Sequence, residues 1–304
     1  MADPKPKKKK LQTIAIISKR SIGEHQNHVK CLRQLVKFLK KHKKTILMDT
    51  NCAPLFKNIE GHKKEYLLKH ADLAITLGGD GTLLKTARRL SRKKIYVLGV
   101  NFGNLGFLTE CRPSKMTECL EKVFKGSYHV DKRSMLRATI YRKGKKADTY
   151  LALNDAVINQ GAFARLIEMD LAIDTLKLVK FKADGLIVST PTGSTAHSLS
   201  AGGPIVHPHI EGLTLTPICP NSLSMRPIIL PDQKLLTVTI ETKRHNENAI
   251  IGLTLDGQDM THLNYGDKIK IRRSKRFLYM IRTRHRYYRT LHNKLNWGDN
   301  KPKL

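Results

Sequence analysis

Three glycines around one carboxylate, Gly78-Gly79-Asp80-Gly81-Thr82, carry the strongest chemical signal in the sequence. They follow the apolar run 73–77, which reads as a buried strand, and open a helical stretch over 82–90. In open α/β sheets, ligands bind at the carboxyl ends of strands. Glycines permit a tight turn and let backbone N–H groups approach a phosphate, and a helix start adds partial positive charge. Asp80 cannot hold a phosphate itself, because like charges repel. It can take a proton from an attacking hydroxyl or help to orient a metal. The same residues also suit a plain turn with Asp80 capping the helix. No Gly-Lys-Ser/Thr follows, so this is not a Walker A loop, and the G-x-G-x-x-G dinucleotide spacing is absent.

Three further segments carry polar chemistry on apolar strands. Asn101-Phe102-Gly103-Asn104-Leu105-Gly106-Phe107-Leu108 forms a second glycine turn after a strand ending at Val100. The run from Phe181-Lys182-Ala183-Asp184-Gly185 leads into Thr190-Pro191-Thr192-Gly193-Ser194-Thr195-Ala196-His197-Ser198-Leu199-Ser200-Ala201-Gly202-Gly203-Pro204. So many hydroxyls need polar partners if buried; small residues let a flat ring approach the backbone. A Ser/Thr-capped helix start is the simpler reading. Leu153-Asn154-Asp155 places an amide and a carboxylate inside an apolar strand. Burying them is costly without hydrogen bonds. The pair suits the vicinal hydroxyls of a ribose, or equally a β-bulge or a structural hydrogen-bond pair.

The elements that must position these residues change character along the chain. Strands over 13–17, 45–48, 73–77 and 95–100 alternate with helical stretches over 26–41 and 82–90. Such alternation implies a mainly parallel sheet. A helix is expected over 114–124. Beyond it strands dominate, at 136–141, 151–158, 167–173, 185–189, 235–240 and 249–255, and 287–297 turns helical again. The expected organisation is a basic tail over 1–12, an α/β nucleotide-binding domain over 113's predecessors, 13–112, a β-rich domain over 113–285, and a terminal helix, 286–298, packing back on the first domain.

The 304 residues are 40% hydrophobic and 27% charged, enough to bury a core and to exclude global disorder. No apolar run approaches the roughly 20 residues of a membrane helix, and 13–17 is too short for a signal-peptide core. Lys and Arg number 56 against 25 Asp and Glu, a net charge of +31 that attracts polyanions. Five cysteines without a C-x-x-C pair fit a reducing cytoplasm. The basic stretch 268–289 interleaves Phe277, Tyr279, Tyr287 and Tyr288. That suits single-stranded nucleic acid, but an edge strand with a charged solvent face is favoured because no nucleic-acid motif accompanies it.

In this order the four motifs resemble the NAD kinase family, over roughly 73–297. The Gly-Gly-Asp-Gly turn is shared with diacylglycerol-kinase-like and phosphofructokinase-like enzymes, whereas the 101–108 turn and the Gly193–Pro204 motif are specific to the family. The resemblance implies a Rossmann-like N-terminal domain, a β-sandwich-like C-terminal domain and a site between them. It implies phosphoryl transfer from ATP to the adenosine ribose 2′-hydroxyl of NAD, with Asp80 as proton acceptor and Gly81 beside it. Asn154 and Asp155 would hold ribose, and Lys182 and Asp184 would meet the dinucleotide. Thr195, Ala196, His197, Ser198, Leu199 and Ser200 would line the adenine pocket. Gln258, ending the Asp256-Gly257-Gln258 turn, falls at a ligand-contact position, Arg165 is a candidate cofactor contact that aligns with a position often basic or His in the family, and Lys85 could reach a phosphate. His197 stands where the family usually has Tyr, and Asp155 is one methylene shorter than the usual Glu. A divalent metal, Mg²⁺, is expected with the nucleotide, and no protein ligands for it are evident. Expected partners are the substrates NAD and ATP and further copies of the chain, as a dimer or tetramer, with no membrane or nucleic acid. The rival readings are a lipid or sugar kinase sharing the turn, and a basic nucleic-acid-binding protein.

Overall fold

The computed structural model describes residues 11–160, 166–241 and 251–298. Residues 1–10 of the expected basic tail over 1–12, and Arg165, lie outside them. Leu11 is buried within the first core, so the tail cannot extend to residue 12. The chain divides into two units, Met1–Lys132 with Leu278–Leu304, and Arg133–Phe277.

In the first unit five strands run parallel: β1 (Thr13–Ser18), β2 (Thr45–Asp49), β3 (Gly61–His62), β4 (Leu73–Gly78) and β5 (Tyr96–Asn101). Their order is β3-β2-β1-β4-β5, the doubly wound arrangement. Both faces of such a sheet are covered, which is why β4 and β5 are buried at every residue and read as continuous apolar runs. Four helices, α1 (Gln26–Lys41), α2 (Lys64–His70), α3 (Asp80–Ala87) and α4 (Met116–Phe124), complete this part. On α1 the buried residues Cys31, Leu32, Leu35, Val36 and Leu39 recur at helical spacing, and Lys40 and Lys41 complement the dipole at its end. Met116, Cys119, Leu120 and Val123 of α4 belong to the same apolar core as β1 and β4. The boundary therefore falls at 132/133 and not at 112/113.

The second unit is built from strands. These are β6 (His129–Arg142, which begins in the first unit), β7 (Lys145–Ala152), β8 (Asp155–Gln160), β9 (Ile167–Ile173), β10 (Leu176–Ala183), β11 (Gly185–Ser189), β12 (Gly212–Ile218), β13 (Ile228–Pro231), β14 (Leu236–Ile240), β15 (Ile251–Leu255), β16 (Asp259–Leu263) and β17 (Lys268–Arg282). A short helix, α5 (His197–Ser200), follows β11. One sheet runs β13-β12-β11-β8-β15-β16; the other contains β10-β9-β14-β17, with β6 and β7. Apolar residues of both, such as Met169, Phe181 and Val238 from one and Ile158, Val188 and Leu253 from the other, share one core. This is sandwich packing.

Two expectations change here. The run 151–158 is not one strand. It breaks at Leu153 and Asn154, where the chain leaves β7 in one sheet for β8 in the other. The basic stretch is not an edge strand, because β17 is bonded to both β14 and β6. Ile269, Ile271, Leu278, Met280 and Ile281 are buried while Lys268, Arg272 and Lys275 face solvent. From Leu278 the strand belongs to the first unit, where Tyr279 and Met280 pair in parallel with Tyr96 and Val97. The last helix, α6 (Tyr287–Leu295), buries Leu291.

Candidate active site

In the first unit Gly78 of β4 lies beside Asn101 of β5, so both glycine turns leave from neighbouring strand ends. Helix α3 starts at Asp80, two residues earlier than expected, with Gly79 as its N-cap. Asp80 is thus the first helical residue and not the cap. Its Oδ2 accepts the N–H groups of Phe107 (3.0 Å) and Leu108 (3.3 Å), and its Oδ1 accepts that of Thr109 (3.2 Å). Three successive amides of the second turn therefore converge on the carboxylate of the first. The turn is itself fixed: Asn101 Nδ2 donates to Asn104 O (2.7 Å), and Gly106 N–H donates to Thr109 Oγ1 (3.1 Å). A Cβ at Gly106 would fall within the Asp80 carboxylate, which explains a glycine there. Gly81 and Lys85 are both exposed and stand one turn apart on α3, on one face.

In the second unit the break between β7 and β8 forms a hydrogen-bonded corner. Asp256 accepts the N–H groups of Leu153 (3.1 Å), Asn154 (2.7 Å) and Asp155 (3.3 Å). Asp256 and Gly257 both have positive φ (52° and 63°), a tight hairpin turn for which Asp-Gly is the preferred pair. That turn closes with Gln258 N–H on Leu255 O (3.0 Å). On the other side Thr190 N–H donates to Asn154 O (2.8 Å) and Thr190 Oγ1 to Leu153 O (2.6 Å). Gly193 lies directly against the Asn154 backbone, where a Cβ would overlap it. The Asn154 side chain is half-buried and makes no hydrogen bond among the described residues.

Asp155 is buried, at 3% exposure, opposite Ser189 of β11. Burial first, and then the charge of Asp256, push its carboxyl up to about 7. The unfolded value is about 3.9, so the folded state binds this proton more tightly. The resulting stability is fully present below pH ~4 and is lost as pH rises through ~7. Asp155→Asn, neutral at every pH, should raise the melting temperature relative to the parent at pH 8, by up to roughly 4 kcal/mol in stability, with no gain at pH 4. Equal shifts at both pH values in paired thermal melts would show that Asp155 is not held in this way.

The hydroxyl-rich segment divides by burial. Ser198 is fully buried, and its hydroxyl bonds to Thr216 Oγ1 (2.9 Å). Thr195, Ala196 and Leu199 are half-buried, and His197 and Ser200 are exposed. Thr195 Oγ1 donates to Thr192 O (3.4 Å). Lys182 lies on β10 in register with Glu168 of β9. Asp184 occupies the crossing from β10 to β11, its N–H on Ile218 O (3.0 Å). Both are half-buried on either side of buried Ala183.

Comparison with known proteins gives the family. Residues 153–283 match the ATP-NAD kinase C-terminal domain and residues 8–128 the ATP-NAD kinase N-terminal domain. The NAD kinase of Geotalea daltonii is 44% identical over 238 residues, 78% of this chain and 82% of its own length. The chain belongs to the NAD kinase family. The NAD kinase of Koribacter versatilis is 38% identical over 290 residues, covering 95% of this chain and 99% of its own. Yeast NADH kinase complexed with NADH superposes at a TM-score of 0.86, with 26% identity over 97% of this chain and 90% of that one. An NAD kinase from Archaeoglobus fulgidus in complex with ATP shares the fold at a TM-score of 0.71, with 24% identity over 94% of this chain and 99% of that one.

Three features of this NAD kinase family member escape motif reading. The N–H groups of 107–109 that hold Asp80 are backbone, visible in sequence only as a glycine turn. Asp256 stands in a hairpin whose second residue after it, Gln258, is the more obvious ligand contact. Arg282 is one cation among many on β17, yet it is buried. Parity gives no signal for this, since Met280, Ile281 and Arg282 are buried in succession at the end of the strand. A cleft of about 290 Å³ in the first unit, lined by residues including Leu105, Arg112, Lys115 and Arg284, contains none of the expected site residues. Among the described residues no helix is long and apolar enough to cross a membrane.

Proposed function

We propose that this NAD kinase family member transfers the γ-phosphoryl group of ATP to the adenosine ribose 2′-hydroxyl of NAD, giving NADP, with Asp80 as the proton acceptor. The observation that carries this reading is the Asp80 carboxylate at the first turn of α3, fixed by three backbone N–H groups. A carboxylate offers about four acceptor positions, so Oδ1 keeps one for an incoming hydroxyl. The 2′-oxygen forms the new bond to the γ-phosphorus, the bond to the β-bridging oxygen breaks, ADP leaves, and the hydroxyl proton passes to Asp80. Little covalent work falls to the protein in such a transfer; positioning and charge stabilisation do most of it.

Asn154 and Asp155 are assigned to the ribose hydroxyls, with Gln258 nearby on the turn that Asp256 opens. Thr195, Ala196 and Leu199 are assigned to the adenine face, and His197 and Ser200 to its rim. Gly81 and Lys85 present the α3 face to the triphosphate. Among the described residues no three His, Cys, Asp or Glu side chains converge on a metal position. Mg²⁺ is assigned to the nucleotide phosphates, and no step above runs through it. The described cysteines are all unpaired, which fits a reducing cytoplasm.

An acceptor screen tests the reading. Purified protein with ATP and Mg²⁺ should phosphorylate NAD in preference to diacylglycerol and sugar phosphates; a preferred lipid or sugar acceptor would sink it. Lys182 is assigned to the nicotinamide preference. A cation near the ring disfavours oxidised, positively charged nicotinamide relative to the neutral reduced form. Lys182→Gly should therefore shift the NAD:NADH activity ratio toward NAD with the melting temperature nearly unchanged. An unchanged ratio with a lowered melting temperature would make Lys182 structural.

A further inference from the structure

We infer that Arg282 is a positioning residue for the phosphoryl transfer, holding the 107–109 turn so that its amides face Asp80. The inference rests on the reading of Asp80 as proton acceptor. Arg282 is 9% exposed and lies at the end of β17 in the first unit. Its Nη2 donates to Phe107 O (2.7 Å), and its Nη1 donates to Leu108 O (3.2 Å) and Thr109 O (3.1 Å). Its remaining reach goes to carboxylates, with Nε on Asp131 Oδ2 (3.3 Å) and Nη1 near Glu110 Oε2 (3.5 Å).

The three residues whose carbonyls meet the guanidinium are the three whose N–H groups meet Asp80. The peptide groups joining Phe107 to Leu108 and Leu108 to Thr109 each bridge the two ions, carbonyl toward Arg282 and N–H toward the carboxylate. Each such dipole is aligned by both charges, and hydrogen bonds in chains of this kind strengthen one another. A flipped peptide would turn a carbonyl toward the Asp80 carboxylate and an N–H toward a guanidinium that has no acceptor. Arg282 therefore disfavours the orientation that would release Asp80. A lysine keeps the charge near Asp131 and Glu110 but lacks the planar fork that spans three carbonyls.

Arg282→Lys tests this in the full chain. The expected result is a fall in kcat of about 10–100-fold, the scale of small misplacements in an active site, with KM for NAD and ATP within about threefold. Amide hydrogen exchange at Leu108 and Thr109 should quicken. In an Asp80→Asn background the same substitution should have little further effect on kcat, because residues acting as a unit are non-additive. Arg284→Lys, an exposed change two residues along, should leave kcat as in the parent. Unaltered exchange at Leu108 and Thr109, or an equal loss of kcat in the Asp80→Asn background, overturns the positioning role. An Asp80→Asn variant at parent kcat contradicts the proton-acceptor reading instead, so the two failures are told apart.

Discussion

Asp80→Asn lowers the kcat of NADP formation by several orders of magnitude, leaving a small residual rate, while NAD binding stays within about threefold of the parent. Loss of a general base costs about 10²–10⁴-fold. The geometry adds to this, because an asparagine offers one acceptor oxygen where Phe107, Leu108 and Thr109 present three N–H groups to two carboxylate oxygens. Its NH₂ would face at least one amide donor. Steady-state kcat, with NAD affinity measured by calorimetry, checks both parts. A variant within threefold of parent kcat refutes the role of Asp80 as proton acceptor.

The second large effect is expected at Gly106. An added Cβ there meets the Asp80 carboxylate, whereas one at Gly103 in the same turn finds its nearest atom, Asn101 Oδ1, at 3.8 Å. Gly106 has no positive φ, so alanine is barred by the neighbouring carboxylate and not by backbone strain. Asp80 is short and bonded on both oxygens, so it cannot swing aside without giving up its amides. Gly106→Ala should lower kcat by about 10²-fold with a melting temperature within a few degrees of the parent, because the position is a half-buried turn outside the core. Gly103→Ala should lose far less. Equal activity in the two variants would mean that the turn does not need to approach Asp80 closely.

Much of the first unit was legible because local pattern decides it. Helix α1 occupies the expected 26–41, where five buried apolar residues mark one face. Strands β4 and β5 are buried on both sides and read as apolar runs. Pattern failed where distant partners decide. Residues 151–158 are apolar throughout apart from Asn154 and Asp155. What splits them is the pairing of β8 with β11 and β15 and the grip of Asp256 from a hundred residues away. The same holds for β17, whose charge suggested an edge while its ladder partners make it an inner strand.

The site was legible to the level of motifs and not of contacts. Asp80 stood out because a carboxylate on a phosphate-type glycine turn repels the phosphate and so suits proton transfer instead. The sequence could not show that it is tied to 107–109 or that Arg282 braces the far side of that turn. Asn154 and Asp155 stood out as polar residues among apolar neighbours. That Asp155 shares a buried region with a second carboxylate, Asp256, depends on a hairpin that closes only in the folded chain.

The most direct measurement is the fate of the γ-phosphoryl group when purified protein is mixed with NAD, ATP and Mg²⁺ and followed by ³¹P NMR. The expected result is one new phosphomonoester on the adenosine ribose 2′-oxygen, formed in step with ADP and recognised by an NADP-specific dehydrogenase. No phosphate on NAD, or a phosphate at another position, would contradict the assignment.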